Sequence, residues 1–403
     1  MAGALGDLGT LLPLAVALIT LNRMNPTSVF LVVGLSYVFS GLFFRLPMPV
    51  QPLKAVAAIA IVAGLSASVI SASGLIMSAL LLLLAATRLI NPISRLFPLA
   101  VVKGIQLGLG LFLVKAGASL IVKRQVVIGG NDAVVGIAHV SLPVSLLLAV
   151  ACGLVLLFLL RNRFAPPSLV ILSIGVAIGL FWGTSHALST IRLGLTLPPL
   201  SIPGVADLTT ALLVLVIPQL PLTMANAVFA TRNTAEKYFG SEARRVTPLA
   251  LLTSMGLANL IAGLFGGVPV CHGSGGLTAH YRFGARTGGA TFMLGIVFIV
   301  LAVSVDGNIL PILSLIPYSV LGVLTIFVGV QHSLLAKDVS DIRDILVVAI
   351  IAGVALLTSN LATGFASGIA LHIALKAGLR CYAALHPHNS RRLFRVMPNI
   401  IKE

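Results

Sequence analysis

Apolar runs long enough to form buried or membrane-crossing helices recur along nearly the whole chain. We mark about fourteen of them by the span-length criterion. In the first half they centre on Leu8–Leu21, Ser28–Phe44, Leu53–Leu65, Ile70–Ala86, Leu99–Val114, Val140–Leu160 and Ser168–Trp182. In the second half they centre on Leu208–Phe229, Leu249–Phe265, Ser274–His280, Ala290–Val305, Ile312–Val330, Ile345–Thr358 and Leu361–Ala377. Between them the loops are too short to fold alone. Only 9% of residues are charged, and the mean hydropathy is +1.11. A water-facing surface normally needs roughly 25% charged residues, so most of this surface must face lipid. The expected fold class is therefore an all-α polytopic membrane protein. Asp7 interrupts the first apolar stretch and no basic region precedes it, so that stretch is expected to be a retained helix, not a cleaved leader.

The net charge of +16 does not indicate nucleic acid, because the cations are scattered one to four per loop and form no single solvated face. They sort by loop. One side collects Arg45, Arg88, Arg95, Arg161, Arg163, Arg232, Lys237, Arg244, Arg245, Arg282, Arg286, Lys337 and Arg343, and the other keeps Arg23, Lys123, Arg124 and Arg192. By the positive-inside rule this bias places both termini in the cytoplasm, and a bacterial inner membrane is the expected location. Cys152, Cys271 and Cys381 are far apart, which gives neither a disulfide framework nor a zinc site. We find no nucleophile–base pair, metal-ligand cluster or phosphate loop, so neither an enzyme nor a bound cofactor is expected.

Two segments are too short to span as plain helices. Pro47-Met48-Pro49-Val50-Gln51-Pro52 precedes the third, and Gly266-Gly267-Val268-Pro269-Val270-Cys271-His272-Gly273 precedes the tenth. Proline and glycine on this scale preclude regular helix, and irregular backbone is tolerated at membrane depth only inside protein or beside an aqueous cavity. Pro49-Val50-Gln51 matches Pro269-Val270-Cys271. The third of seven segments thus corresponds to the tenth of fourteen. Because seven is odd, the halves, 1–203 and 204–380, must be inverted relative to each other, with 381–403 left as a short tail. Paired interrupted segments in two halves point to a transport site.

The expected site follows from the chemistry at these breaks. Gly273, Gly275 and Gly276 allow backbone N–H groups to turn toward an anion, a helix N-terminus adds partial positive charge, and His272 and Ser274 offer side-chain donors. A bulky residue at Gly273 or Gly275 is expected to block binding. The alternative for the glycines is close helix packing. On the other prelude, Gln51 and Lys54 face the same point. Lys54 near a helix N-terminus is unfavourable unless an anion binds there, the alternative being a lysine that snorkels to the interface. Asp7 is a candidate coupling carboxylate, with pairing to Lys54 or helix capping as the alternatives. Gln219, Thr223 and Asn226 are polar in an apolar run, fit for substrate or for interhelical hydrogen bonds. Gly104, Gly108 and Gly110 read as helix packing, and His332 as part of an interface loop.

Three stretches carry a family resemblance: Gly3-Ala4-Leu5-Gly6-Asp7-Leu8-Gly9-Thr10-Leu11-Leu12-Pro13; Pro47 to Ala55; and Phe265 to Gly289, including His280-Tyr281-Arg282-Phe283-Gly284-Ala285-Arg286. They resemble the signatures of the molybdate transporter family, a branch related to the sulfate permeases. The resemblance implies a seven-plus-seven inverted repeat shared with sulfate and uracil permeases. Segments 1–4 and 8–11 would form a substrate-carrying core, and segments 5–7 and 12–14 a gate domain that often dimerises. It also implies secondary active, elevator-like transport of a tetrahedral oxyanion, with molybdate first, sulfate of the same fold second and an anion channel as a further alternative. Protons would be the coupling ion and a homodimer the assembly. Many relatives carry a carboxylate in segment eight where this chain has Gln219, which moves the expected coupling group to Asp7.

Overall fold

The computed structural model describes residues 3–90, 98–123, 125–127, 133–137, 140–160, 162, 167–182, 194, 196–304, 310–313 and 315–385. Arg95, Arg124, Arg161, Arg163, Arg192 and the tail beyond Leu385 lie outside these residues.

Each of the fourteen expected segments has a helical counterpart. The first seven are α1 (Leu8–Leu21), α2 (Pro26–Phe44), α3 (Lys54–Ala63), α4 (Ala67–Thr87), α5 (Leu99–Ile121), α6 (Val144–Leu159) and α7 (Pro167–Phe181). The second seven are α8 (Val205–Arg245), α9 (Pro248–Leu264), α10 (Ser274–Arg282), α11 (Gly289–Ser304), α12 (Tyr318–Ser333), α13 (Ile342–Thr358) and α14 (Leu361–Leu385). Four short strands, β1 (Gln51–Pro52), β2 (Val134–Ile137), β3 (Val140–Pro143) and β4 (Val270–Cys271), form two pairs, β1 with β4 and β2 with β3. Seven helical stretches are long and apolar enough to cross a membrane, and α3, α6, α7, α9 and α11 are shorter apolar helices. The chain is an integral membrane protein with a seven-plus-seven inverted repeat.

Helix ends follow local chemistry. Asn25, Ser66 and Thr247 cap α2, α4 and α9 by accepting a backbone N–H at N3. The short helix α3 stops at Gly64, whose φ of +62° is a left-handed cap. Its end is satisfied inside the protein, because the Asn22 amide donates to the carbonyls of Ala60 at 2.7 Å and Leu65 at 2.8 Å. Without such partners, open carbonyls in a membrane interior would each cost several kcal/mol, about the price of a lost hydrogen bond in hydrocarbon.

Glycines set the closest helix contacts. On antiparallel α2 and α11, a Cβ at Gly34 would lie 2.9 Å from the Gly295 carbonyl oxygen, and one at Gly41 2.6 Å from that of Gly288. On α5 and α12, a Cβ at Gly329 would lie 2.6 Å from the Gly110 oxygen, and one at Gly117 2.6 Å from the Gly322 oxygen. Gly263 of α9 packs likewise on Leu75 of α4. Lipid offers helices no hydrophobic reason to associate, so backbone approach at small residues supplies the attraction. The packing read for Gly104 and Gly110 is present, against Ile351 of α13 and Gly329 of α12.

Candidate anion site

The two preludes meet. β1 and β4 pair antiparallel, with Gln51 opposite Cys271 and Pro52 opposite Val270, and the Leu53 N–H donates to the Pro269 carbonyl at 2.8 Å. β1 leads into α3 and β4 into α10, so the link brings the N-termini of the two short helices close together. Asn259 of α9 holds β4, donating to the Val270 carbonyl at 3.1 Å and accepting its N–H at 2.7 Å. The similarity of Pro49-Val50-Gln51 to Pro269-Val270-Cys271 is therefore expressed as a strand pair. A strand pair is the economical way for two irregular segments to satisfy each other's backbone in a water-poor interior.

His272 is committed to this scaffold. Its Nδ1 faces the Pro49 carbonyl at 2.8 Å and so carries the hydrogen, leaving Nε2 to accept the Ser254 hydroxyl at 2.8 Å. Both ring nitrogens are used and none is left for a ligand, so the expected donor role of His272 is not what the structure shows. Its carbonyl also accepts from Thr231 at 2.7 Å.

Asp7 is buried beside the link. The Gln51 amide donates to Asp7 Oδ1, the Tyr37 hydroxyl of α2 lies against the same carboxylate, and Gln51 Oε1 has no hydrogen-bond partner among the described residues. Of the two alternatives read for Asp7, capping is not realised, because its side chain caps no helix; Lys54 does act on the carboxylate electrostatically, but without a contact ion pair among the described residues.

Lys54 does not snorkel. It is 7% exposed, and its ammonium has neither a hydrogen bond nor an ion pair among the described residues. It faces a small cavity whose other polar lining is Gln106, Gln219, Thr223, Asn226, Cys271 and His332. A Cβ at Gly273 would lie 3.2 Å from Lys54 Nζ and 2.7 Å from Gln51 Oε1, so the lysine is pressed against the entrance to α10. Gly273 is the N-cap of α10 and has no side chain to cap that helix; among the described residues no other side chain is seen to accept from its first turn. Gly276 must lack a side chain, because a Cβ there would meet Pro49 Cβ at 2.6 Å and Asp7 Oδ2 at 2.8 Å. Gly275 is different. Its Cβ position is open and the residue is exposed, so the expectation that bulk there blocks an anion is not supported by its placement.

At the other half-helix the first turn is already occupied. Gln219 Oε1 accepts the N–H of Ala55 at 2.9 Å and of Val56 at 3.4 Å, and its amide donates to Thr223 at 3.0 Å. The first turn of α3 is thereby capped from α8. Asn226 accepts the Ser274 hydroxyl at 2.7 Å. Gln219, Thr223 and Asn226 thus make interhelical bonds and also line the cavity. They converge because α8 holds two wide π turns, Ala211–Val216 and Thr223–Ala230, around Pro218 and Pro221. Proline lacks an N–H, and the π register accommodates the break without ending the helix.

Sequence reading missed Gln106 and misplaced His332, which belongs to the cavity and not to an interface loop. Gln106 could have been found as an uncharged polar residue within the apolar run of α5. For His332 no local signal existed.

A buried ammonium with no contact ion pair among the described residues, beside a helix N-terminus inside an inverted-repeat membrane fold, is an arrangement suited to an anion transporter. The family model described as "Molybdate transporter of MFS superfamily" matches residues 1–113 and 211–331, and the chain belongs to this molybdate transporter family. Molybdate transporter 2 of Arabidopsis thaliana is 29% identical, over 93% of this chain and 87% of that protein. Among solved structures, the transmembrane domain of the cyanobacterial bicarbonate transporter BicA superposes with a TM-score of 0.63 at 19% identity, covering 91% of this chain and 96% of that one. SLC26A9 follows at a TM-score of 0.62 and 15% identity, covering 93% of this chain and 64% of that one. The fold is thus the one shared by BicA and SLC26A9, whatever superfamily the family's description uses.

Proposed function

We propose that the protein is a secondary active transporter of a tetrahedral oxyanion, molybdate first, working by alternating access. The single observation that carries this reading is the unpaired Lys54 ammonium, buried in the cavity at the start of α10. One lysine and one helix N-terminus can balance much of a dianion's charge without the dense cationic cluster that would prevent its release. Gln106, Thr223 and Asn226 supply polar groups around it, and Gln51 lies just behind.

In this reading segments 1–4 and 8–11 form the moving core and segments 5–7 and 12–14 the gate. The partners each helix chooses favour this division: α2 packs on α11 and α4 on α9, while α5 packs on α12 and α13. Asp7 is the coupling carboxylate, because its Oδ2 lies against the first turn of α10 and its other oxygen holds Gln51. Protons are the coupling ion, both termini are cytoplasmic, a bacterial inner membrane is the location, and two copies associate through the gate. Sulfate transport by the same site is the second reading, favoured by the shared charge and shape of the two anions.

The test is uptake of labelled molybdate into proteoliposomes with unlabelled sulfate as competitor, with and without a proton gradient. Saturable uptake that molybdate displaces better than sulfate is the expected result. Uptake absent under every gradient would overturn the reading, and preferential displacement by sulfate would establish the second.

A further inference from the structure

The cavity has charged and titratable groups on two walls. On one is Lys54 of α3, with Cys271 of β4 beside it; on the other is His332 in the last turn of α12. Among the described residues no carboxylate lines it, and the nearest one, Asp7, acts on Lys54 and Cys271 from outside the lining. A divalent oxyanion placed here would meet one fixed positive charge, and the helix dipole supplies only about half a charge more. The lining therefore falls short of charge balance by about half a charge if the anion enters as a dianion, a deficit that one proton on the lining would more than cover.

His332 is built to supply that proton. Its Nδ1 lies 2.9 Å from the Val328 carbonyl, one turn back on the same helix. Nδ1 therefore carries the hydrogen in the neutral ring, and Nε2 is the open nitrogen. Nε2 has no hydrogen-bond partner among the described residues. Nearby, Gln106 Oε1 is a buried acceptor without a partner, fit to receive an N–H from a protonated ring or from Lys54. The end of α12 favours an imidazolium, because a helix C-terminus is the negative end of its dipole. What opposes it is first the burial of the ring, then Lys54 across the cavity; Lys103 of α5, whose ammonium is bonded to the Leu335 carbonyl one turn beyond His332, adds a further positive charge on that side. An empty cavity thus disfavours a second cation, and an occupied one favours it.

We infer that His332 takes up one proton at Nε2 as the oxyanion enters, so that its imidazolium and Lys54 together balance the divalent charge. The proton comes from solvent and leaves with the anion. No bond other than N–H forms or breaks, and an anion arriving singly protonated reaches the same state by giving its proton to Nε2. Binding and protonation then favour each other by equal factors, as linkage demands. This inference rests on the anion occupying the Lys54 cavity. It assigns proton uptake to the binding step, whereas Asp7 acts in the return of the carrier.

The test is equilibrium molybdate binding to the purified full chain near neutral pH, with proton uptake measured by calorimetry in two buffers of different ionisation enthalpy. The wild type is expected to take up about one proton per bound anion by linkage. His332→Gln is expected to take up none, to bind about tenfold more weakly and to lose the pH slope of its affinity. His332→Lys is expected to regain affinity without proton uptake, because it supplies a fixed charge, an outcome a purely structural role for His332 would not give. Asp7→Asn is expected to keep the uptake. Binding without proton uptake in the wild type, or undiminished uptake in His332→Gln, would overturn the inference. Lys54→Met serves as the separate check on the site: wild-type affinity there would remove the site and this inference with it, while weakened binding there with no change in His332→Gln would remove only the inference.

Discussion

Gln219, on α8, accepts the backbone N–H of Ala55, on α3, at 2.9 Å. A side chain from one half of the chain thereby closes the first turn of the half-helix in the other. The two half-helices are consequently unequal: α3 presents an ammonium and a capped end, and α10 presents an end that no side chain caps. A site that looks symmetric in sequence is chemically one-sided.

Replacing Gln219 separates capping from charge. Gln219→Glu keeps an acceptor for Ala55 but adds a negative charge to the cavity that holds Lys54. At the few-ångström separations inside such a cavity like charges repel by an amount on the order of a few kcal/mol, so molybdate affinity should fall at least about tenfold while the thermal midpoint changes little. Gln219→Leu should do the reverse in part, lowering stability by about 1 kcal/mol through the lost cap. Paired binding and thermal-melt measurements check both, and unchanged affinity in Gln219→Glu would place the anion away from this cavity.

Lys54 should be indispensable to binding and dispensable to folding. A buried ammonium without a partner costs stability, so Lys54→Met is expected to raise the thermal midpoint while reducing molybdate binding below detection. Lys54→Arg, which keeps the charge on a larger head group, should retain part of the affinity. A Lys54→Met protein that binds normally would show the lysine to be a bystander.

The glycines at the start of α10 are predicted to differ sharply. Gly276→Ala would drive a methyl into Pro49, Gln51 and Asp7 and should abolish both binding and stable insertion. Gly275→Ala enters open space, should leave transport near wild type, and should stabilise the helix by up to about 1 kcal/mol. Equal damage from both substitutions would contradict this placement.

For Asp7 the prediction is a split between two assays. Asp7→Asn keeps an oxygen to accept from Gln51 but cannot carry a charge, so gradient-driven uptake should be lost while molybdate–molybdate exchange persists. Loss of exchange as well would assign Asp7 to the architecture of the link and not to coupling.

How much of this was legible beforehand depends on whether the cause was local. The number of helices, the breaks at Pro47–Pro52 and Gly266–Gly273 and their inverted correspondence follow from apolar length and from proline and glycine chemistry, which act on the chain wherever it lies. The seven-residue spacing of Gly34 and Gly41, Gly110 and Gly117, Gly288 and Gly295, and Gly322 and Gly329 was also present in the sequence. Its meaning as four reciprocal backbone contacts required knowing which helices are neighbours. The site divided in the same way. Lys54 and the α10 glycines stood out because a buried charge and a glycine run are locally unfavourable. His272 looked like a donor until Pro49 and Ser254 were seen to occupy both its nitrogens, and Gln219 looked like a ligand before Ala55 was found beneath it. His332 gave no warning, since an imidazole near a helix end suits an interface as well as a cavity. Sequence determines which groups are costly to bury; tertiary structure alone decides which partners, more than two hundred residues away in the case of His272 and Pro49, relieve that cost and which groups are left free to meet an anion.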